Sequence, residues 1–384
     1  MDVERKNRVA VAMSGGVDSS IAALLLAREG YEVFGFTAKL LDGETDGTCC
    51  SAEAAARARR ACDIIGAQHV VVNLEEAFRE KVIGRFVSEY RAGRTPNPCI
   101  DCNRFVKFDE FLRVADWLDC QFLATGHYAR IGIRPRETFG PVDKRVGDSP
   151  IDWRRRTKDL LQLMRGVDKD KEQSYFLAVI TRDQLVRMMF PCGDLTKVQV
   201  RELAREAELP TYEAPESQDA CFLTPERDVD YWLKRVAGEE PQPGVIRDVS
   251  GDELGEHDGI EHFTRGQRKG LRLGGGPAKY VVDIDAEKRE VVVGEPGSVQ
   301  IARIELSQVN ELARGYTNNG RRVMVKTRYR QREVPATLDT IEGDGLIVRY
   351  ETPQEHISPG QWCVFYDGDV VIGCGMIERV CTER

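Results

Sequence analysis

The sequence predicts an α/β chain in which a doubly wound parallel sheet is followed by a small central domain and a C-terminal β-barrel. Three observations carry this. Short apolar runs alternate with helical patterns between Arg8 and Thr125, as in strands joined by crossover helices. The first run ends in a glycine turn, Ser14-Gly15-Gly16, that opens a helix. Beyond Pro241 the text becomes short alternating runs broken by Gly and Asp, which suits a small barrel. At 384 residues the chain exceeds one ordinary domain. The boundaries are set at 1–215, 216–285 and 286–384.

Taken in order, Arg8 to Met13 reads as a buried parallel strand entering the turn, and Asp18 to Glu29 as a helix stopped by Gly30. Tyr31 to Thr37 is a second strand. Ser51 caps a helix that runs to Ile65, with Gly66 as its stop. His69 to Asn73 is a third strand, helices follow at Glu75 to Arg91 and Lys107 to Leu118, and Gln121 to Thr125 is a fourth strand. Ile131 to Lys158, rich in Pro, Gly and charge, reads as a long loop. Helices are predicted at Thr196 to Glu208 and Val229 to Ala237. The barrel text includes Tyr280 to Ile284, Glu290 to Val293, Arg322 to Tyr329 and Trp362 to Tyr366.

Hydrophobic residues make up 41% and charged residues 31%, ordinary for a soluble protein. No apolar run is long enough to span a bilayer, and the charged Met1 to Asn7 lacks the apolar core of a secretion signal. The expectation is a cytoplasmic monomer with no membrane partner. In that compartment eleven cysteines do not make a disulfide framework. Cys62, Cys192, Cys363 and Cys374 sit among apolar or small residues and read as core side chains; Cys49-Cys50 reads as a loop pair. A net charge of −8 argues against a uniformly basic nucleic-acid binder, but a total leaves room for a local basic face.

Chemistry concentrates first in Ser14-Gly15-Gly16-Val17-Asp18-Ser19-Ser20. The glycines let an anion approach the backbone, the serines add hydroxyl donors, and the helix start favours negative charge. No lysine stands where a GxxxxGK[ST] loop requires one. The string resembles the PP-loop of ATP pyrophosphatases, of the adenine nucleotide alpha hydrolase-like fold. That resemblance implies ATP bound by Ser14, Gly15, Gly16, Asp18, Ser19, Ser20, Thr37 and Gly126, with Asp18 holding Mg²⁺ on the leaving pyrophosphate.

The second dense motif is Thr95-Pro96-Asn97-Pro98-Cys99-Ile100-Asp101-Cys102-Asn103, with a helix expected from about Asn103. A helix start favours thiolate. A third thiol, Cys221, stands far along in Ser217-Gln218-Asp219-Ala220-Cys221-Phe222. RTPNPCIDCNRFVKF, ATGHYAR, KEQSYFL, SQDACFL, FTRGQRKGL and VKTRYRQR follow SGGVDSS in the order seen in tRNA-specific 2-thiouridylases, which the chain resembles over nearly its whole length. The resemblance implies that ATP adenylylates the C2 oxygen of a wobble uridine in tRNA. The sulfur comes from a sulfur-donor protein or a sulfide source; a sulfur donor loads a persulfide on Cys221, and sulfur displaces AMP. Cys102 assists by releasing sulfide or by forming a disulfide with Cys221. One departure stands out: Cys99 occupies a position where the family often carries Asp. Cys99, Cys102 and Cys221 would also suit three corners of a [4Fe–4S] cluster, so both routes stand open in the sequence. A zinc site completed by His127 is a lesser alternative.

On the RNA side, Arg322, Lys326, Arg328, Arg330 and Arg332 fall on alternate positions and would share one face of a strand. Arg154, Arg155, Arg156 and Lys158 form a second basic run. The resemblance implies tRNA contacts at Asn97, His127, Lys171, Gln173, Arg328, Tyr329 and Gln361; Glu172 departs from the usual Lys-Asp-Gln. Two rivals share part of this text. A different PP-loop synthetase leaves the cysteines and the barrel unexplained, and a non-enzymatic, metal-containing RNA-binding protein leaves the phosphate loop unexplained.

Overall fold

The computed structural model describes residues 7–41, 51–134, 149–214, 220–274, 276–313, 319–340 and 345–382. Cys49-Cys50, Ser217 to Asp219 and residues 135–148 of the expected 131–158 loop lie outside them.

The N-terminal sheet contains β1 (Arg8–Ala12), β2 (Glu32–Lys39), β3 (Gln68–Asn73), β4 (Phe122–Ala124) and, after the hairpin β5 (Ala129–Ile133) and β6 (Leu161–Arg165), the short β7 (Met188–Met189). Its order is β3-β2-β1-β4-β7 and every pairing is parallel. The order reverses between β1 and β4, and ligands of such sheets sit at the carboxyl ends on either side of that switch. Helix α1 (Val17–Arg28) follows β1. Helix α2 (Ala52–Ile65) begins where Ser51 accepts the Ala54 amide at 3.1 Å and ends at left-handed Gly66, φ 79°. Fully buried Val9, Ala10, Val11, Ile21, Ala22 and Phe36 lie in its core.

Two local expectations need correction. Helical structure starts at Pro98–Asp101, with Asn97 accepting the Ile100 amide, and continues through a π-helical turn, Cys102–Glu110, into Phe111–Trp117. Proline suits a helix's first position because its missing N–H would have no partner there. At the described ends of the expected 131–158 loop, residues 131–133 belong to β5 and Pro150–Arg156 forms a helix.

The central sheet comprises β8 (Gly244–Asp248), β9 (Glu253–His257), β10 (Tyr280–Asp285) and β11 (Glu290–Gly294) in the order β10-β11-β8-β9. The β10–β11 hairpin straddles the boundary expected at residue 285, so this sheet continues to Gly294. The barrel is formed by β12 (Ile301–Glu311), β13 (Arg321–Lys326), β14 (Val334–Thr340), β15 (Leu346–Gln354), β16 (Trp362–Asp367) and β17 (Val370–Thr382). The β12–β17 pairing closes six strands, so the barrel has no open edge among them. The β5–β6 hairpin then pairs with β17 through Leu163 and Met164. Trp362, Val364 and Tyr366 of the barrel join the N-terminal core cluster. The shared hairpin and shared core fix the barrel to the N-terminal domain. No helix among the described residues is long and apolar enough to cross a membrane.

Candidate active site

β1 delivers the chain to Ser14-Gly15-Gly16. Gly15 has φ +72°, and a Cβ there would stand 2.3 Å from the Ala54 carbonyl oxygen, so only glycine fits. The Ser14 amide donates to Ser19 Oγ at 3.2 Å, and the Ser19 and Ser20 hydroxyls donate to the Gly16 carbonyl at 3.0 and 3.1 Å. These bonds wrap the loop around the start of α1, where backbone amides face outward for an anion. Gly126, just past β4, comes so near that a Cβ would lie 2.6 Å from Asp18 C and Ser19 N. Thr37 is buried. Its hydroxyl donates to the Met13 carbonyl at 2.7 Å and meets His69 Nε2 at 2.9 Å, supporting the loop's stem.

Asp18 is the best-held side chain of the loop. The Tyr128 hydroxyl donates to its Oδ1 at 2.6 Å, and Lys197 Nζ lies 2.7 Å from both carboxylate oxygens. Burial beside this carboxylate pushes the Tyr128 phenol far above its ordinary range. Sequence reasoning gave Tyr128, Lys197 and Arg57 no role. Arg57 Nε donates to the Gly15 carbonyl at 3.3 Å. Tyr128 stood in the quoted ATGHYAR string, whereas nothing local marks a lysine 179 residues away from its partner.

His127 is buried, with Nδ1 2.7 Å from Thr125 Oγ1 and Nε2 3.4 Å from Lys107 Nζ. Burial and the lysine charge lower its pKa well below the ordinary value, so the imidazole is neutral. Nε2 then accepts from Lys107 and Nδ1–H donates to Thr125. Beside it, the Gln173 side chain accepts the Tyr128 amide at 3.0 Å. The Lys171 amide bonds to Asp168 Oδ1 at 3.2 Å.

The cysteine loop is docked on the barrel. Gln361 Nε2 donates to the Thr95 and Pro96 carbonyls at 2.9 and 3.2 Å, and the Thr95 amide donates to the Pro359 carbonyl at 2.9 Å. Asn97 caps the turn that carries Cys99, and Cys102 opens the π-helical run that also carries Lys107. Asp101 between them is buried, 3.5 Å from Arg85 Nε. Burial raises its carboxyl to about 6 against the pull of Arg85. Cys221 precedes Phe222, whose ring packs edge-on at 5.8 Å from Phe78 and 5.1 Å from Phe86. Arg85 and these two phenylalanines share the helical run Glu75 to Arg91, so both thiol segments lean on one support.

Among the described residues no three His, Cys, Asp or Glu side chains converge to hold a metal ion. Cys99, Cys102 and Cys221 are each half-buried. The zinc alternative is disfavoured because His127 Nε2 already faces the Lys107 ammonium. Cys62, Cys192, Cys363 and Cys374 are buried core side chains, and burial pushes the Cys62 thiol up to about 12.

The basic stripe is corrected too. β13 ends at Lys326 and a turn follows, so strand alternation does not carry the face on to Arg332. Arg328 is turned inward, where its guanidinium donates to the Arg265 carbonyl at 2.8 Å and to the His356 carbonyl and Ser358 hydroxyl. It ties the central domain to the barrel. Arg322 pairs with Glu351, while Arg330 and Arg332 are exposed. Tyr329 packs on Phe176, with ring centroids 4.5 Å apart, beside the Lys171 to Gln173 segment. In the second run, Arg154 donates to the Val186 and Met188 carbonyls at 3.3 and 2.6 Å, anchoring its helix on the sheet edge, and Lys158 pairs with Asp183.

Comparison with known proteins places this arrangement. Residues 7–225 match the tRNA methyl transferase HUP domain, residues 231–295 the tRNA methyl transferase PRC-barrel domain, and residues 302–377 the aminomethyltransferase beta-barrel domain. A tRNA-specific 2-thiouridylase MnmA of Carboxydothermus hydrogenoformans is 42% identical over 385 residues, covering 99% of this chain and 100% of the relative. The chain belongs to the tRNA-specific 2-thiouridylase family. A second 2-thiouridylase, from Natranaerobius thermophilus, is 40% identical over 98% of this chain and 99% of its own length. Among solved structures, the U34-tRNA thiolase NcsA from Methanococcus maripaludis with its [4Fe-4S] cluster overlaps at TM-score 0.33 and 19% identity. It covers 60% of this chain and 67% of that one, a likeness too shallow to bear on a 2-thiouridylase site.

Proposed function

We propose that this chain converts a tRNA wobble uridine to 2-thiouridine, with ATP activating the oxygen that sulfur replaces. Family membership supports the reaction, and one geometric observation supports its site. The Gly126-His127 joint touches both halves of the chemistry. Gly126 packs on the backbone of Asp18 and Ser19, while His127 meets Lys107 on the helical run that Cys102 opens.

The loop amides and serine hydroxyls bind the ATP phosphates. Asp18, a single carboxylate with about a third of its side chain exposed, fits a Mg²⁺ ion that keeps phosphate and water ligands. That ion would neutralise charge on the departing pyrophosphate. The uridine C2 oxygen attacks the α-phosphorus, the bond to the bridging oxygen breaks, and N3 gives up its proton. The outer sulfur of a Cys221 persulfide then attacks C2, and AMP leaves with the oxygen. Attack by Cys102 on the inner sulfur of Cys221 leaves the electron pair on the uridine sulfur. The resulting disulfide returns to thiols through a thiol reductant. A cluster route would instead ask Cys99, Cys102 and Cys221 to share one metal centre. Tyr329, His127, Lys171 and Gln173 form the tRNA side. Asn97 and Gln361 set the loop that presents the thiols.

The test incubates the full-length protein with ATP, a persulfide donor and unmodified tRNA, reading AMP and nucleoside composition. The reading expects tRNA-dependent AMP and 2-thiouridine. ADP as the nucleotide product, or unthiolated tRNA despite AMP release, would contradict it.

A further inference from the structure

The phosphate loop contains no lysine, yet adenylylation must expel pyrophosphate, a highly charged leaving group. The fold brings a cation from elsewhere. Lys197 is the first residue of the helix Lys197–Glu206, and Thr196 and Gln199 close a capping box around its start. Its backbone amide donates to Asp168 Oδ2 at 2.8 Å. Its Cα is thus fixed by the cap and by Asp168, while the side chain reaches α1. The ammonium sits 2.7 Å from both oxygens of Asp18, the second residue of α1, with only 13% of the lysine side chain exposed. Tyr128 lies under it, Nζ 5.8 Å from the ring centroid.

We propose that Lys197 is the phosphate-site cation of this enzyme, neutralising the β- and γ-phosphates of ATP and then the pyrophosphate that leaves. The proposal rests on the adenylylation reading. In this structure the ammonium rests on Asp18. When ATP arrives with its metal ion, Asp18 gains another cationic partner and Lys197 turns to the phosphate oxygens, a displacement of one side chain with its base held still. The bond broken is that between the α-phosphorus and the bridging oxygen. Its electron pair stays on pyrophosphate, and Lys197 stabilises that charge without giving up its proton. Asp168 is the positioning residue. Its other oxygen, Oδ1, accepts the Asp170 and Lys171 amides at 3.0 and 3.2 Å, so one carboxylate braces both the lysine and the turn on the tRNA side.

The alternative is that Lys197 only neutralises Asp18. Binding of inorganic pyrophosphate, ATP and AMP to full-length protein separates the two. Lys197→Gln should weaken pyrophosphate and ATP about tenfold to a hundredfold, the range for a lost charged hydrogen bond, and leave AMP and tRNA binding unchanged. Lys197→Arg should recover part of the loss. In an Asp18→Asn background, which removes any stranded carboxylate, adding Lys197→Gln should still cost pyrophosphate binding about tenfold. Equal loss of AMP and pyrophosphate affinity, or no further loss in the Asp18→Asn background, would overturn the proposal. Wild-type protein that releases ADP rather than AMP would instead defeat the adenylylation reading, whatever Lys197 does.

Discussion

Gly126→Ala is the sharpest test of how the two strand ends build the nucleotide site. Carbon atoms pack comfortably at about 3.5 Å or more, and the new methyl group would begin 2.6 Å from Asp18 C and Ser19 N. Something must shift by about 1 Å, and the obstacle is backbone rather than the end of a flexible side chain. Helix α1 cannot retreat, because Ile21, Ala22 and Ala23 are fully buried behind it. The strain therefore falls on the phosphate loop or on His127. Overpacking of this kind costs about 1–3 kcal/mol of stability, and a displacement of about 1 Å at a reacting group costs roughly a hundredfold in rate. The variant should fold with a lowered melting temperature and form AMP roughly a hundredfold more slowly. Gly274→Ala, where a Cβ meets nothing within 4 Å, serves as the control. AMP formation at the wild-type rate in Gly126→Ala would refute the close packing of loop and strand end.

Three further outcomes follow from the same geometry. Asp18→Ala should abolish AMP formation and leave tRNA binding nearly intact; thiolation near the wild-type rate would remove Asp18 from the site. Asp101 is protonated more tightly in the fold, at about 6, than at its ordinary 3.8, so its contribution is present below about pH 4 and is lost as pH rises through 6. The stability of Asp101→Asn relative to wild type, from urea denaturation, should therefore rise by roughly 2 kcal/mol between pH 4 and pH 7, and a pH-independent difference would count against that burial. Arg328→Ala should cost about 1.5–3 kcal/mol of stability through its lost carbonyl partners, whereas exposed Arg330→Ala should leave stability alone and lower the log–log salt slope of tRNA binding by about one; the reverse pattern would show that Arg328 faces RNA.

The parallel sheet was legible because each of its principal strands announces itself locally. Arg8 to Met13 is apolar and ends in glycine, and Ser51 and Gly66 bracket α2 with a cap and a stop. The phosphate loop was legible for the same reason, since its donors are consecutive. Lys197 and Tyr128 were not, because their role depends on a sheet order that brings residues 128 and 197 to residue 18. The basic stripe failed from the opposite cause. Alternation identifies a face only while the strand lasts, and β13 ends at Lys326, leaving Arg328 to bend back toward Arg265 and His356. Arg154 misled in a similar way, since its charge satisfies carbonyls at a sheet edge that no local pattern reveals. The early start of the Cys99 helix was hidden by Pro98, which ends a helix in most positions but suits its first.

The central claim is that the oxygen lost from uridine leaves on AMP. Transfer RNA carrying ¹⁸O at C2 of the wobble uridine, thiolated by the full-length protein in unlabelled water, tests this directly by mass spectrometry of the released nucleotide. The account predicts one ¹⁸O in AMP for each 2-thiouridine formed, and neither AMP label nor thiolation with Asp18→Ala. Unlabelled AMP alongside 2-thiouridine would show that the oxygen leaves by another route, and would contradict activation of uridine as its adenylate.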